Sequence, residues 1–322
     1  MSRYKFIWID DDPRRRVSSD NLKSALGFLG QFVAVKGDYQ DNLDELFNGS
    51  EPDLIIMDHN LEKSTTGVFK KGSTFAAFIR ETWNECPIVC VTGQDIDIVD
   101  SQQRSLYEDV FSISQISKYY PTIRSISESF RILNRKRPKD IADLFDLMKA
   151  PVEDIDRLKT IMPIELKENF KDKSQLLNIS HWVRNVLLKR PGFVYDRMWL
   201  ATTLGIKESS LVKVESIFSR AKYSGIFADE SNDLWWKSKA LDTLTNQIDE
   251  VGLPWEKGRK LPGIIKRDYS ICYASGEDFP ETVAFIDETK DSKRASMKLQ
   301  YTESHPNYGD LLFFEEIRIM KS

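Results

Sequence analysis

Cysteine is scarce in this sequence, and no two cysteines form a CxxC pair. Cys86, Cys90 and Cys272 are the whole supply among 322 residues. An odd, sparse set argues against a disulfide framework and a structural zinc site, and the simplest reading is a reducing cytoplasm. Long apolar runs are missing too. No stretch approaches the ~18–20 residues that a membrane-spanning helix needs, so no membrane partner is expected. The N-terminal MSRYKFIWIDDD has a short apolar stretch that runs straight into three acids, which reads as a strand and not as a secretory signal. Internal repeats and low-complexity tracts are absent. Net charge is small, −4 with a pI near 5.6, so the chain as a whole does not advertise nucleic-acid binding. Hydrophobic residues make up 41%, too many for disorder. The length suggests two or three domains.

What is present is an alternation. FIWID, QFVAVK, DLIIMD, PIVCVTG and the weaker FSISQIS read as strands. Arg14 to Leu29, DNLDELFNG, Gly72 to Trp83, Asp95 to Asp109 and Ile123 to Asn134 read as helices. Apolar strands that alternate with amphipathic helices predict a parallel, doubly wound α/β sheet covered on both faces over residues 1–133. The basic, proline-containing NRKRPKD (134–140) reads as a linker. Residues 141–262 read as a mainly helical region. Residues 263–322 read as a small antiparallel β region, from the alternation in SICYA, TVAFIDE, SMKLQYTE and LLFFEEIRI between turn-rich loops.

The chemistry sits at strand ends. Asp10, Asp11 and Asp12 close the first strand and Asp58 the third. The carboxyl ends of the strands form the ligand crevice of a doubly wound sheet, so acids from neighbouring strands would converge there. Converging carboxylates repel one another and call for a cation, and an all-oxygen donor set suits Mg²⁺ or Mn²⁺. Such an ion would also neutralise an incoming phosphoryl group. Thr92 ends the fourth strand with a hydroxyl, and Lys118 follows the fifth with an ammonium charge. Together these make a phosphoryl-transfer constellation with an aspartate nucleophile. Taken singly, each piece reads as an ordinary polar loop, turn or surface residue. His59 reads as a solvent-facing loop residue. Ser180-His181 does not read as a nucleophile and base, since helix neighbours do not face each other and no acid partner is apparent.

KFIWIDDDP, LIIMDHNL, VCVTG, GSTFAAFIR and Lys118 together resemble the receiver domain of two-component response regulators, over roughly 40% of the chain. The resemblance implies a flavodoxin-like sheet of five strands. It implies Asp58 as phosphoacceptor, with Thr92 and Lys118 completing the catalytic set. Its metal site would use Asp10, Asp11, Asp58 and the backbone carbonyl of Asn60, with Asp11 as the more direct ligand. The implied partner is a histidine kinase or phosphotransfer protein. The implied activity is that of a phosphoacceptor switch, an enzyme at most in its own phosphorylation and dephosphorylation. The sequence departs from the family in three places, one of them the KYYP segment, where Pro121 is displaced from its expected position directly after Lys118. The loop from 62 to 71, with Ser64, Thr65 and Thr66, is enlarged beside the phosphoacceptor. Gln115 stands where the family's aromatic switch residue is expected, leaving Tyr119 or Tyr120 as substitutes.

The output is less legible. FVYDRMWLATTLGI and KESSLVKVESIFSRAKYSG read as two helices, and GIFADESNDLWW as a two-stranded wing turning at 230–233, which together resemble a winged helix over 193–238. Arg184, Lys189, Arg190, Arg197, Lys207, Lys213, Arg220 and Lys222 stand against Asp196, Glu208 and Glu215, a local excess of +5 compatible with phosphate contacts. Three functions stay open: a phosphorylation-controlled regulator acting on an output protein, a DNA-binding regulator reading through 193–238, and a scaffold that binds partners without phosphorylation. A homodimer is compatible with each.

Overall fold

The structure is a computed structural model that describes residues 4–27, 29–34, 51–61, 70–96, 99–168, 170, 175–189, 192–229, 232–273, 275–278, 282–287 and 293–298. The chain forms two compact units. The first gathers the described residues of 1–144, 164–182 and 229, and the second gathers the described residues of 145–163, 183–228 and 232–298.

In the first unit, β1 (Lys5–Asp10), β2 (Leu29–Ala34), β3 (Leu54–Asp58), β4 (Ile88–Thr92) and β5 (Asp109–Ser112) pair in the order β2-β1-β3-β4-β5. Every pairing is parallel. Phe6, Trp8, Ile9, Leu54, Ile55, Ile56 and Met57 are fully buried. Adjacent residues of a strand point to opposite faces, so both faces of the sheet are covered, as unbroken apolar strands require. The covering helices are α1 (Arg16–Leu26), α2 (Gly72–Thr82), the short α3 (Ser101–Arg104) and α4 (Tyr120–Lys136). The strand order turns back between β1 and β3, the position at which this class of sheet opens its crevice.

Several expected boundaries move. Arg14 and Arg15 belong to a 3-10 turn, Pro13–Arg15, and α1 closes at Gly27, whose φ of 64° is left-handed. The second strand begins earlier than QFVAVK. The helix expected over Asp95 to Asp109 is reduced to Ser101–Arg104. The Arg104 guanidinium bonds the carbonyls of Val99 and Ile96 at 2.7 and 2.6 Å, so a side chain takes up carbonyls that a helix would otherwise use. β5 starts before FSISQIS and stops at Ser112, where a 3-10 segment, Ile113–Tyr119, takes over. The helix expected at DNLDELFNG and most of the enlarged loop, 62–69, lie outside the described residues.

Beyond α4 come α5 (Ile141–Met148), α6 (Ile155–Ile161), α7 (Ile164–Glu168) and α8 (Gln175–His181). α8 is held to the sheet unit by two contacts. Ser180 donates to the wholly buried Glu108 carboxylate at 2.5 Å, and His181 Nε2 lies 3.1 Å from the Tyr107 carbonyl. Ser180 therefore does have an acid partner, contrary to the sequence reading. The bond bypasses the imidazole, so no nucleophile–base pair forms.

The second unit contains β6 (Val194–Asp196), α9 (Arg197–Thr203), β7 (Leu234–Trp236), α10 (Lys237–Gln247), α11 (Pro254–Gly258), and the antiparallel pair β8 (Thr282–Asp287) and β9 (Lys293–Lys298). Its core joins Leu200, Leu211, Phe218, Trp235 and Leu244. The winged-helix expectation fails here in two respects. The second helix is two 3-10 segments, Glu208–Lys213 and Glu215–Ala221, broken at Val214. Ser210 Oγ and Lys213 Nζ both bond the Asp268 carboxylate, at 3.0 and 2.7 Å, which draws the first segment away from a regular helix. Among the described residues the expected wing does not form a strand pair: β7 pairs with β6, Tyr195 opposite Trp235. Four of the basic residues counted from sequence are engaged or buried within the protein. Arg197 bonds Glu215 and Asp233, Lys222 pairs with Asp233, Lys213 with Asp268, and Arg184 is buried. Lys213 holds the Asp268 carboxyl down at about 2. Of the last expected strand, LLFFEEIRI, no residue is described.

Among the described residues, no helix is long and apolar enough to cross a membrane.

Candidate functional site

The crevice is built by adjacency. β1 lies next to β3, and β3 next to β4, so Asp10, Asp58 and Thr92 end neighbouring strands. Asp10, Asp11 and Asp58 each offer a carboxylate oxygen, and these oxygens lie within 4.8 Å of one another. Two tight connections hold the acids there. After β1, the Asp12 backbone N–H donates to Asp10 Oδ1 at 2.8 Å, and Asp12 in turn caps the Pro13–Arg15 turn by accepting from the Arg14 N–H at 3.1 Å. After β3, the Gly72 N–H donates to the His59 carbonyl at 2.8 Å, which brings the start of α2 hard against the strand end. A Cβ on Gly72 would stand 2.0 Å from the Asp58 carbonyl oxygen. Only glycine lets the helix start so close.

Burial and mutual repulsion set the electrostatics. Asp58 is pushed up to about 7, first by loss of hydration and then by the charges of Asp10 and Asp11. Arg15 and the Asn60 N–H pull the other way. Asp10 is pushed up to about 6 by burial, against the Asp12 N–H, the Trp8 indole and Arg15. Trp8 Nε1 lies 3.3 Å from Asp10 Oδ2, which makes this buried indole a reporter of the cluster. An all-oxygen cluster whose charges raise one another's protonation is a fitting seat for a hard divalent cation such as Mg²⁺ or Mn²⁺.

The other expected residues fall out as follows. Thr92 is buried, and its Oγ1 accepts from the Gln94 N–H at 3.1 Å. Asn60 pairs across an isolated bridge with Lys71, whose Nζ bonds Asn60 Oδ1 at 2.7 Å. That bridge closes the base of the enlarged loop, while Ser64, Thr65 and Thr66 lie outside the described residues. Lys118 is exposed on the 3-10 segment after β5 and forms no hydrogen bond or ion pair with a described residue. Gln115 is exposed on the same segment. The register sets Ser112 beside Thr92, and Phe111 beside Val91. Phe111 is buried and stacks on Tyr119 with ring centres 4.7 Å apart. His59, expected at the surface, is 2% exposed, and its Nδ1 has no hydrogen-bond partner among the described residues. Burial and the charge of Lys71 hold it below the usual imidazole range.

One residue of the site was missed from sequence. Arg15 is the cation that bears on both Asp10 and Asp58. Its Nη2 reaches Gly93, where an added Cβ would meet it at 2.9 Å. The available signal was the run of three arginines after the acids, but nothing in the run says which one turns inward.

No protein-family model matches the sequence, and no curated protein matches it. Solved structures similar to the N-terminal part are response-regulator receiver domains. One is the N-terminal domain of a response regulator/sensory box/GGDEF three-domain protein from Carboxydothermus hydrogenoformans, 21% identical, covering 41% of this chain and 97% of its own, with a TM-score of 0.33. Another is the CheY-like receiver domain from Methylobacillus flagellatus, 19% identical over 39% of this chain and 99% of its own, with a TM-score of 0.31. A third is the response regulator TrrA from Thermotoga maritima, solved in complex with Mg²⁺ and BeF, 17% identical over 36% of this chain and 98% of its own, with a TM-score of 0.29. They leave the C-terminal region unidentified.

Proposed function

We propose that this chain is a response regulator that accepts a phosphoryl group on Asp58 from a histidine kinase or phosphotransfer protein. The convergence of Asp10, Asp11 and Asp58 at the ends of adjacent parallel strands carries this reading. In the reaction an Asp58 oxygen attacks the phosphorus of a phosphohistidine. The acyl-phosphate bond forms as the P–N bond breaks, and the released imidazole takes up a proton. Asp10, Asp11, Asp58 and the Asn60 carbonyl would hold Mg²⁺ or Mn²⁺, whose charge neutralises phosphoryl oxygens. The buried Thr92 hydroxyl stands one residue past the β4 partner of Asp58, within the reach expected of a group that reads the phosphoryl. Catalysis is confined to gain and loss of that group, and the change is passed to an output partner as altered contacts.

The test is phosphorylation of the full chain by acetyl phosphate with Mg²⁺, followed by mass spectrometry. One adduct should map to Asp58 and disappear in Asp58→Asn and in EDTA. No adduct, or one elsewhere, overturns the proposal in favour of a scaffold that works unphosphorylated.

A further inference from the structure

Of the three arginines that follow the first strand, the fold treats each differently. Arg14 is solvent-exposed and folds back on Asp12, with Nη2 2.6 Å from Oδ2. Arg16 opens α1 and is exposed. Arg15 is half-buried and makes no hydrogen bond or ion pair with a described residue. Its Nη2 lies against Gly93, the residue that follows Thr92 at the end of β4. Since β3 runs between β1 and β4, a side chain that starts after β1 and reaches the end of β4 spans the end of β3, where Asp58 sits. Gly93 makes that reach available, because a Cβ there would stand 2.9 Å from Nη2 and force the guanidinium to move. A planar fork of charged N–H donors matches phosphoryl oxygens. Lys118, by contrast, stands exposed on the 3-10 segment beyond β5.

We infer that Arg15 is a phosphoryl-binding residue of this site: its guanidinium, admitted across the end of β3 by the missing side chain of Gly93, bonds an oxygen of the phosphoryl group on Asp58, the part expected of Lys118. The inference rests on the receiver reading above. It assigns the anion-binding group to the turn after β1 rather than to the segment after β5. It also gives the glycine after Thr92 a specific task.

The experiment measures beryllofluoride binding to the full chain at saturating Mg²⁺, followed by Trp8 fluorescence, with Mg²⁺ affinity measured separately. Arg15→Ala should weaken beryllofluoride binding about ten- to a hundredfold, the loss of one charge-assisted bond. Arg15→Lys should recover part of it, and Gly93→Ala should lose it through displacement of the guanidinium. Arg14→Ala should bind as the parent chain does. Thermal melts identify any variant that fails to fold, in which case Arg15→Lys alone decides, by a weakened but measurable response. A larger loss in Lys118→Ala than in Arg15→Ala overturns the assignment. So does an Arg15→Ala variant that gains Mg²⁺ affinity but keeps its beryllofluoride affinity, since Arg15 would then only balance the acids. Failure of the parent chain to bind beryllofluoride at all, or to be modified at Asp58, overturns the receiver reading together with this one.

Discussion

Asp10 and Asp58 bind their protons more tightly in the folded chain than in an unfolded one, where a carboxyl titrates near ~4. Their folded values are about 6 and about 7. Ionising them therefore works against the fold. The metal-free protein should lose stability as pH rises from about 4 through about 7 and change little above that, the reverse of the trend for salt-bridged carboxylates. Asp58→Asn removes one of the clustered charges, so in EDTA at pH 8 it should be more stable than the parent chain by about 2–4 kcal/mol. Near pH 4 the two should coincide. Excess Mg²⁺ at pH 8 should raise the melting temperature of the parent chain more than that of the variant. Equal melting temperatures in EDTA at pH 8 would show that the crevice stores no such repulsion.

At the level of elements, success followed from burial. β1, β3 and β4 were legible because both of their faces are covered and their apolar runs are unbroken. The acids were legible with them, since a strand end is fixed once the strand is. The failures share a different cause, a side chain that takes over a backbone bond. Arg104 does so at Ile96 and Val99, and the Ser210, Lys213 and Asp268 group does so in the second unit. Apolar spacing alone cannot report such bonds, because a 3-10 segment can bury Leu211 and Phe218 as a helix would. Arg15 escaped for the same reason: its direction depends on the Asp12-capped turn. The fifth strand was expected at FSISQIS and lies at Asp109–Ser112, because a 3-10 segment replaces its second half. Gly72 tests the element level directly. Gly72→Ala puts a methyl group 2.0 Å from the Asp58 carbonyl oxygen, so α2 must shift. Denaturant unfolding should show a loss of about 3 kcal/mol or more, with slower phosphorylation of Asp58. A variant as stable as its parent would mean that α2 and β3 are less tightly joined than the Gly72–His59 bond implies.

Across the whole molecule, the junction between α8 and the sheet is polar and buried. Glu108 has no exposed side-chain surface and is matched by Arg80 at 3.2 Å and Ser180 at 2.5 Å. Removing one member leaves a buried charge short of a partner. Glu108→Ala should cost about 3–5 kcal/mol by leaving the charge of Arg80 with only the Leu106 and Cys86 carbonyls as partners among the described residues, whereas Ser180→Ala should cost about 1–3 kcal/mol. A double-mutant cycle by chemical denaturation should show the two effects to be strongly non-additive. Additive losses would mean that the two side chains do not share one network.

Thr122, near the start of α4, donates to the Asp229 carboxylate at 2.5 Å, although 107 residues separate them along the chain. With α7 and α8 also in the first unit, the polypeptide leaves that unit and re-enters it twice. Such a chain cannot be shuffled as beads on a string. A fragment ending at 133 would lack the helix that covers Glu108 and the acid that anchors Thr122, and a receiver grafted in its place would arrive without sockets for either. Exchanging the first unit for another would thus have to carry three separate stretches of sequence at once.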